Sequence, residues 1–171
     1  MADVLTDPFA VAAIVLAVAG VAKLRAPRVA VAALREAGLP ASTWLVRAFA
    51  CFEVALGVWS IVSPGRLAAI LLGCCYAAFA GLALLLARRR AACGCFGESE
   101  APASMAQAVI SAVLAVICVL AVVHTPHGVG WLLDRPVNYA VVLVIGIAGS
   151  AYATVLAYTQ LPGAWAAWSA R

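Results

Sequence analysis

The stretch LAAILLGCCYAAFAGLALLLARRRAACGCFG, residues 67–97, runs uncharged from Leu67 to Ala87, stops at three arginines, and then sets two cysteines around one glycine. A helix that crosses a bilayer needs about 20 predominantly apolar residues, so this run predicts a membrane span ended by Arg88, Arg89 and Arg90. The rest of the chain follows the same logic. Of its 171 residues 67% are hydrophobic and 11% charged, and the mean hydropathy is +1.09. Soluble domains hold about 45–50% apolar and about 25% charged residues, so a soluble globular domain is excluded. Disorder is excluded too, because it requires few apolar residues and a high charge density.

Working outward, a first helix starts near Asp7 and stops where Lys23, Arg25 and Pro27 begin. Ala17-Val18-Ala19 has the form of a signal-peptide cleavage site, but Asp3 and Asp7 stand where such a peptide carries positive charge, so the helix is read as a retained span. Arg28 to Leu39 mixes Arg35 and Glu36 with Ala, Val and Leu and fits an interfacial connector. The second span runs from Thr43 to Ile61, and Ser63-Pro64-Gly65 turns the chain into the third, Leu67 to Ala87. Ser104 and Gln107 have the spacing of a capping box that opens a fourth helix ending near Val123. A loop with His124, His127, Trp131 and Asp134 precedes a fifth apolar run from Val137 to about Thr159, with Trp165 and Trp168 placed to sit at an interface. The expected fold is an all-α integral membrane helical bundle. Residues 1–124 form a four-helix core, 125–136 an outer loop, and 137–171 a fifth transmembrane helix with a short tail.

The net charge of +4 comes from cations parked at the ends of apolar segments, a pattern that gives no nucleic-acid footprint. Lys23, Arg25, Arg28, Arg35, Arg88, Arg89, Arg90 and Arg171 fall on one side, against Arg66 and Arg135 on the other. The positive-inside rule makes the first side cytoplasmic, with the N-terminus outside, the Cys-Gly-Cys loop at the cytoplasmic face and the C-terminus inside.

Cys93 and Cys95 follow three cations and precede a capped helix, a setting that favours the thiolate, which is the species that attacks disulfides. A bridge closed across Gly94 makes a small strained ring, and strained bridges are oxidising and labile. A redox pair, a Cu(I) site made of two soft thiolates, and an unreactive turn all remain open at this point. Cys51, Cys74, Cys75 and Cys118 lie inside spans, where packing as small apolar residues is the expectation.

Glu53 falls near the middle of the second span, where an ionised carboxylate is costly unless paired, so it must face other helices. Lys23 and Arg47 are its candidate partners, and Glu53 serves either as a proton or substrate group or as a packing tie. Arg47 shares a face with Cys51, or else snorkels to the interface. His124 and His127 lack a clear third ligand for zinc. Gly146 and Gly149 are read as allowing close helix packing.

A first helix ending Gly-Val-Ala-Lys-Leu-Arg with a proline after it, an intramembrane Glu53, and Cys93-Gly94-Cys95-Phe96-Gly97 after the third span together resemble the methylamine utilisation protein MauE family, grouped with DoxX-like redox-associated membrane proteins. The resemblance covers residues 8 to 123. It implies thiol–disulfide transfer in a membrane, associated in the family with maturation of the disulfide-rich small subunit of methylamine dehydrogenase. It carries over Lys23, Glu53 and the pentad, and it implies a thioredoxin-like or disulfide-rich protein partner beside the lipid bilayer. The Arg-Asn that commonly opens the family's fourth helix is replaced here by the Gln107 to Ser111 region, and a fifth span is added.

Three functions follow as expectations. One is a thiol–disulfide relay or accessory maturation factor, the second a non-catalytic scaffold that recruits a partner, and the third a Cu(I) or small-molecule carrier. Catalysis would rest on Cys93 and Cys95, held by Gly94, Phe96 and Gly97, with Glu53 as the intramembrane carboxylate and Lys23, Arg47, Arg88, Arg89 and Arg90 in support. No resident cofactor is expected, quinone and Cu(I) being the open alternatives. A cytoplasmic thiol pair is at odds with periplasmic disulfide formation. Either the pair draws on cytoplasmic reductant, or the loop dips into the bundle, or the orientation is inverted.

Overall fold

The computed structural model describes residues 2–89 and 103–169. In order it contains α1 (Ala2–Arg25), α2 (Pro27–Glu36), α3 (Thr43–Val62), α4 (Arg66–Arg89), α5 (Met105–Val123), α6 (Val129–Leu133) and α7 (Val137–Ser169), with no strand among the described residues. Five of these helices, α1, α3, α4, α5 and α7, are long and apolar enough to cross a membrane. The protein is an all-α, multi-pass membrane bundle.

Two antiparallel pairs make its centre, α1 with α3 and α4 with α5. Small residues let the helices approach. A Cβ at Gly57 of α3 would sit 2.6 Å from the Ala13 carbonyl oxygen, and one at Gly20 of α1 would sit 2.7 Å from that of Ala50. On α4, a Cβ at Gly73 would lie 3.2 Å from the Cys118 Cβ of α5. Phe9, Leu16, Leu56, Leu72, Tyr76 and Leu114 fill the space between, and the Tyr76 hydroxyl donates to the Ala12 carbonyl at 2.6 Å. Dispersion and close backbone approach hold such a core, because lipid offers no hydrophobic force between helices.

The connector between the first two spans is helical. Pro27 starts α2 where a proline costs no hydrogen bond, and Gly38, at φ 83°, ends the turn beyond it. Ala30, Val31, Ala33 and Ala37 turn inward against Val46, Ala83, Leu86 and Ala108, so α2 lies across the end of the bundle where α4 finishes and α5 begins. The Arg89 guanidinium donates to the Glu36 carbonyl and ties the last turn of α4 to α2.

Three boundaries differ from expectation. The first span begins a turn before Asp7, because the opposite loop holds its polar N-terminus. The His127 N–H donates to Thr6 Oγ1 at 3.1 Å, and His127 Nε2 lies 3.2 Å from Asp3 Oδ1. The loop after α5 contains α6, where the His127 ring stacks on Trp131 with centroids 5.0 Å apart and Arg135 covers Trp131 at 4.3 Å.

The last helix continues to Ser169 instead of ending near Thr159, passing through Pro162. Proline has no N–H for the carbonyl four residues earlier, which is that of Tyr158. Gln107 Nε2 of α5 supplies the missing donor to Tyr158 O at 2.9 Å. The Gln107 Oε1 in turn accepts from the Ser104 N–H at 3.1 Å, closing the glutamine half of the capping box.

Candidate functional site: a buried Lys–Glu pair beneath an apolar cavity

Lys23 lies in the last turn of α1 and Glu53 in the middle of α3. The contact at Gly20 sets the two helices close enough for them to meet, since a Cβ there would lie 3.1 Å from the Glu53 Cβ. Lys23 Nζ bonds both carboxylate oxygens, at 2.7 and 2.9 Å. Glu53 is 0% and Lys23 7% exposed, so the lysine turns inward and is not one of the loop cations among which the charge count placed it. The ammonium also sits 4.5 Å over the Phe79 ring of α4, a cation–π contact that binds a third helix to the pair. Of the two partners the sequence offered Glu53, Lys23 takes both bonds, while Arg47 is exposed on the outside of α3.

A cavity of about 320 Å³ opens beside Lys23, walled by α2, α3, α4 and the link at Pro40 and Ala41, with Phe49, Phe79 and Leu82 among its apolar lining. This is at the lower end of the roughly 300–1,000 Å³ range of small-molecule sites. Phe49 and Phe79 meet edge to face, 6.4 Å apart, at its wall. On the other side of Lys23 a space of about 10 Å³ reaches Gln107, Ser111 and Tyr158. There Ser111 Oγ and the Tyr158 hydroxyl share a hydrogen bond of 2.8 Å.

Cys93, Gly94, Cys95, Phe96, Gly97 and Arg90 lie outside the described residues. Their flanks do not. Arg88 and Arg89 are exposed at the end of α4, and Ala103 is buried beside α2. The segment carrying the pentad is thus attached at the end of the bundle where α2 covers the cavity.

The span cysteines separate into two kinds. Cys75 and Cys118 are buried in the core as expected, whereas Cys51 and Cys74 face outward, so core packing does not explain those two. Arg47 and Cys51 are both exposed on α3, as an outward-facing arginine requires. Met105, the one further soft ligand near the pentad, is 59% exposed. Among the described residues no group of three or more His, Cys, Asp or Glu is arranged to hold a metal, and His127 is engaged with Asp3, Thr6 and Trp131. Gly146 and Gly149 do not serve close packing, because a Cβ at either meets nothing within 4 Å.

Sequence reasoning missed Phe49 and Phe79 as cavity walls. It also missed Ser111 and Tyr158. Their signal was polar residues four apart, Gln107 and Ser111, on one face of an otherwise apolar helix.

A multi-pass helical bundle with a buried acid–base pair between its first two spans is the class that this fold and site define. The chain belongs to the MauE family: the family model described as methylamine utilisation protein MauE matches residues 4–124. The match takes in α1 to α5 and ends before α6 and α7. No curated protein and no solved structure matches the chain.

Proposed function

We propose that this methylamine-utilisation-type membrane protein is a thiol–disulfide exchange factor, a relay or accessory maturation factor in which Cys93 and Cys95 alternate between dithiol and disulfide. The partner is a thioredoxin-like or disulfide-rich protein. When the Cys93–Cys95 bridge opens, the partner's two thiols join, two electrons pass from partner to pair, and the protons of the partner thiols end on the cysteines or in solvent. The reverse exchange oxidises the pair. The observation that carries this reading is the pentad itself, two thiols around one glycine, separated from Arg88, Arg89 and Arg90 only by Ala91 and Ala92. Cations beside a thiol favour the attacking thiolate. Family membership supports it, and so does the exposure of Arg88 and Arg89 at the end of α4. The loop charges favour the cytoplasmic face for this exchange.

The test uses the full chain with Cys51, Cys74, Cys75 and Cys118 replaced by alanine, purified in detergent and incubated with reduced or oxidised thioredoxin, the thiols then being counted by alkylation. Stoichiometric exchange that disappears in Cys93→Ser/Cys95→Ser supports the relay. No exchange from either redox state contradicts it, and copper recovered with the purified protein in place of exchange would favour a Cu(I) carrier.

The scaffold reading is favoured by one observation. Both bonds of the Lys23–Glu53 pair are internal, which suits a packing tie between α1 and α3. In that case Cys93→Ser/Cys95→Ser leaves partner maturation intact in cells.

A further inference from the structure

We propose that the cavity beside Lys23 is the binding site of a lipid-soluble quinone, held with its flat ring against the phenyl wall of Phe49 and Phe79 and by one carbonyl on the Lys23 ammonium. An ammonium has three N–H donors, and Glu53 takes two, leaving one for a ligand at the floor of the cavity. The lysine–carboxylate pair carries no net charge whichever partner holds the proton. A neutral acceptor such as a carbonyl therefore suits it, whereas a phosphate or carboxylate would have to compete with Glu53 and strand it. Phe49 and Phe79 offer aromatic surface for a ring, and the remaining lining, Ala33, Ala41 and Leu45 among it, is apolar. At about 320 Å³ the space suits a single ring with the start of its tail, not a two-chain lipid. The outer wall is formed by helices that face lipid, so an isoprenoid tail has a route out.

The site deepens the proposed exchange chemistry and, in its redox role, rests on it. A relay that turns over needs an electron acceptor. As the Cys93 and Cys95 dithiol closes to a disulfide, two electrons and two protons reduce the quinone to quinol. Arg89 and Ala103, between which the segment carrying the thiols is attached, both meet α2 at the end of the bundle where the cavity opens.

Binding is tested apart from turnover. Decylubiquinone is titrated into the full chain in nanodiscs of neutral phospholipid, and bound quinone is read by equilibrium separation and absorbance. Ala41→Trp, on the half-buried link that lines the cavity, should weaken binding at least about tenfold, a change of ~1.4 kcal/mol, with an unchanged thermal midpoint. Lys23→Gln/Glu53→Gln, which keeps hydrogen-bonding groups in place without charge, should weaken it in the same direction. Cys93→Ser/Cys95→Ser should bind as the parent does. Equal affinity in the parent and in Ala41→Trp overturns the site, as does a cavity filled by phospholipid that quinone fails to displace. Tight binding by the parent, lost in Ala41→Trp, but with no quinol formed from the reduced thiol pair, upholds the site and refutes quinone as the relay's electron acceptor, while the thioredoxin exchange assay decides the relay itself.

Discussion

The seam between α1 and α3 and the seam between α5 and α7 are both helix–helix contacts inside a membrane protein, and they are built on opposite plans. The first is close: two glycines face backbone across it, and an ion pair sealed from solvent crosses it. The second is open, and along it a groove of about 530 Å³ runs between α1, α5 and α7 past Gly146 and Ser150. Ala151 and Tyr158 pack into the core, and Gln107 and Ser111 hold the backbone and hydroxyl of Tyr158. The lesson is that in lipid a helix attaches either by backbone proximity or by satisfying a polar group that lipid would leave bare. The family match ends at residue 124, before the open seam's outer helix, whereas Gln107 and Ser111, which hold that helix, fall within the matched residues.

The difference can be broken by substitution, and the largest effect belongs to the ion pair. Lys23→Met leaves Glu53 buried and unpaired and is expected to cost about 3–5 kcal/mol, read as loss of monodisperse protein and a fall in thermal midpoint in detergent. Lys23→Met/Glu53→Leu should recover most of that loss, since two apolar side chains leave no stranded charge. Recovery would show that the loss in Lys23→Met comes from the stranded Glu53 charge, and no recovery would show that the ion pair itself holds the seam.

Next in size, Gly57→Val should cost about 3 kcal/mol, the upper end for overpacking, because its Cβ meets a backbone oxygen, which yields less than a side chain. A thermal midpoint equal to the parent's would show that the α1–α3 seam is looser than 2.6 Å implies. Smaller again, Gln107→Leu removes the bond to the Tyr158 carbonyl and should cost about 1–2 kcal/mol. Hydrogen exchange would rise in α7 and stay unchanged in α1 and α3. Smallest of all, Gly146→Ala and Gly149→Ala should lose no stability and gain up to about 1 kcal/mol of helix propensity, which a loss of thermal midpoint would contradict.

The spans were legible because hydropathy over a run of residues is a local property, and the ends of α3, α4 and α5 fall where charges, a proline turn and a capping pair put them. That Glu53 needed a buried partner was equally legible, since the cost of an isolated charge in lipid follows from its position alone. Choosing Lys23 over Arg47 was not. That choice depends on the rotation of α1 and α3 about their axes, which Gly20 and Gly57 set through contacts far apart in sequence. The same reason misled the reading of Gly146 and Gly149, where glycine suggested a close approach that no neighbour makes. The outward turn of Cys51 and Cys74 is also a matter of rotation.

The far end of α7 defeated local reading for a different reason. The apolar run suggested an end near Thr159, whereas the helix passes through Pro162 to Ser169, and a side chain on another helix, Gln107, donates to the Tyr158 carbonyl that the proline leaves without an N–H. The cavity was invisible for the same cause, since its walls come from α2, α3, α4 and the last turn of α1. The chemistry proposed for the pentad was read from spacing and charge, which are local, and those residues lie outside the described structure.

The claim that Cys93 and Cys95 cycle is tested most directly by labelling them with a membrane-impermeant maleimide in intact cells and in inverted vesicles, with and without prior reduction, in a chain whose other four cysteines are alanine. Labelling that appears only after reduction, and in inverted vesicles alone, is the predicted result. Full labelling without reduction, or none in either preparation, would contradict it.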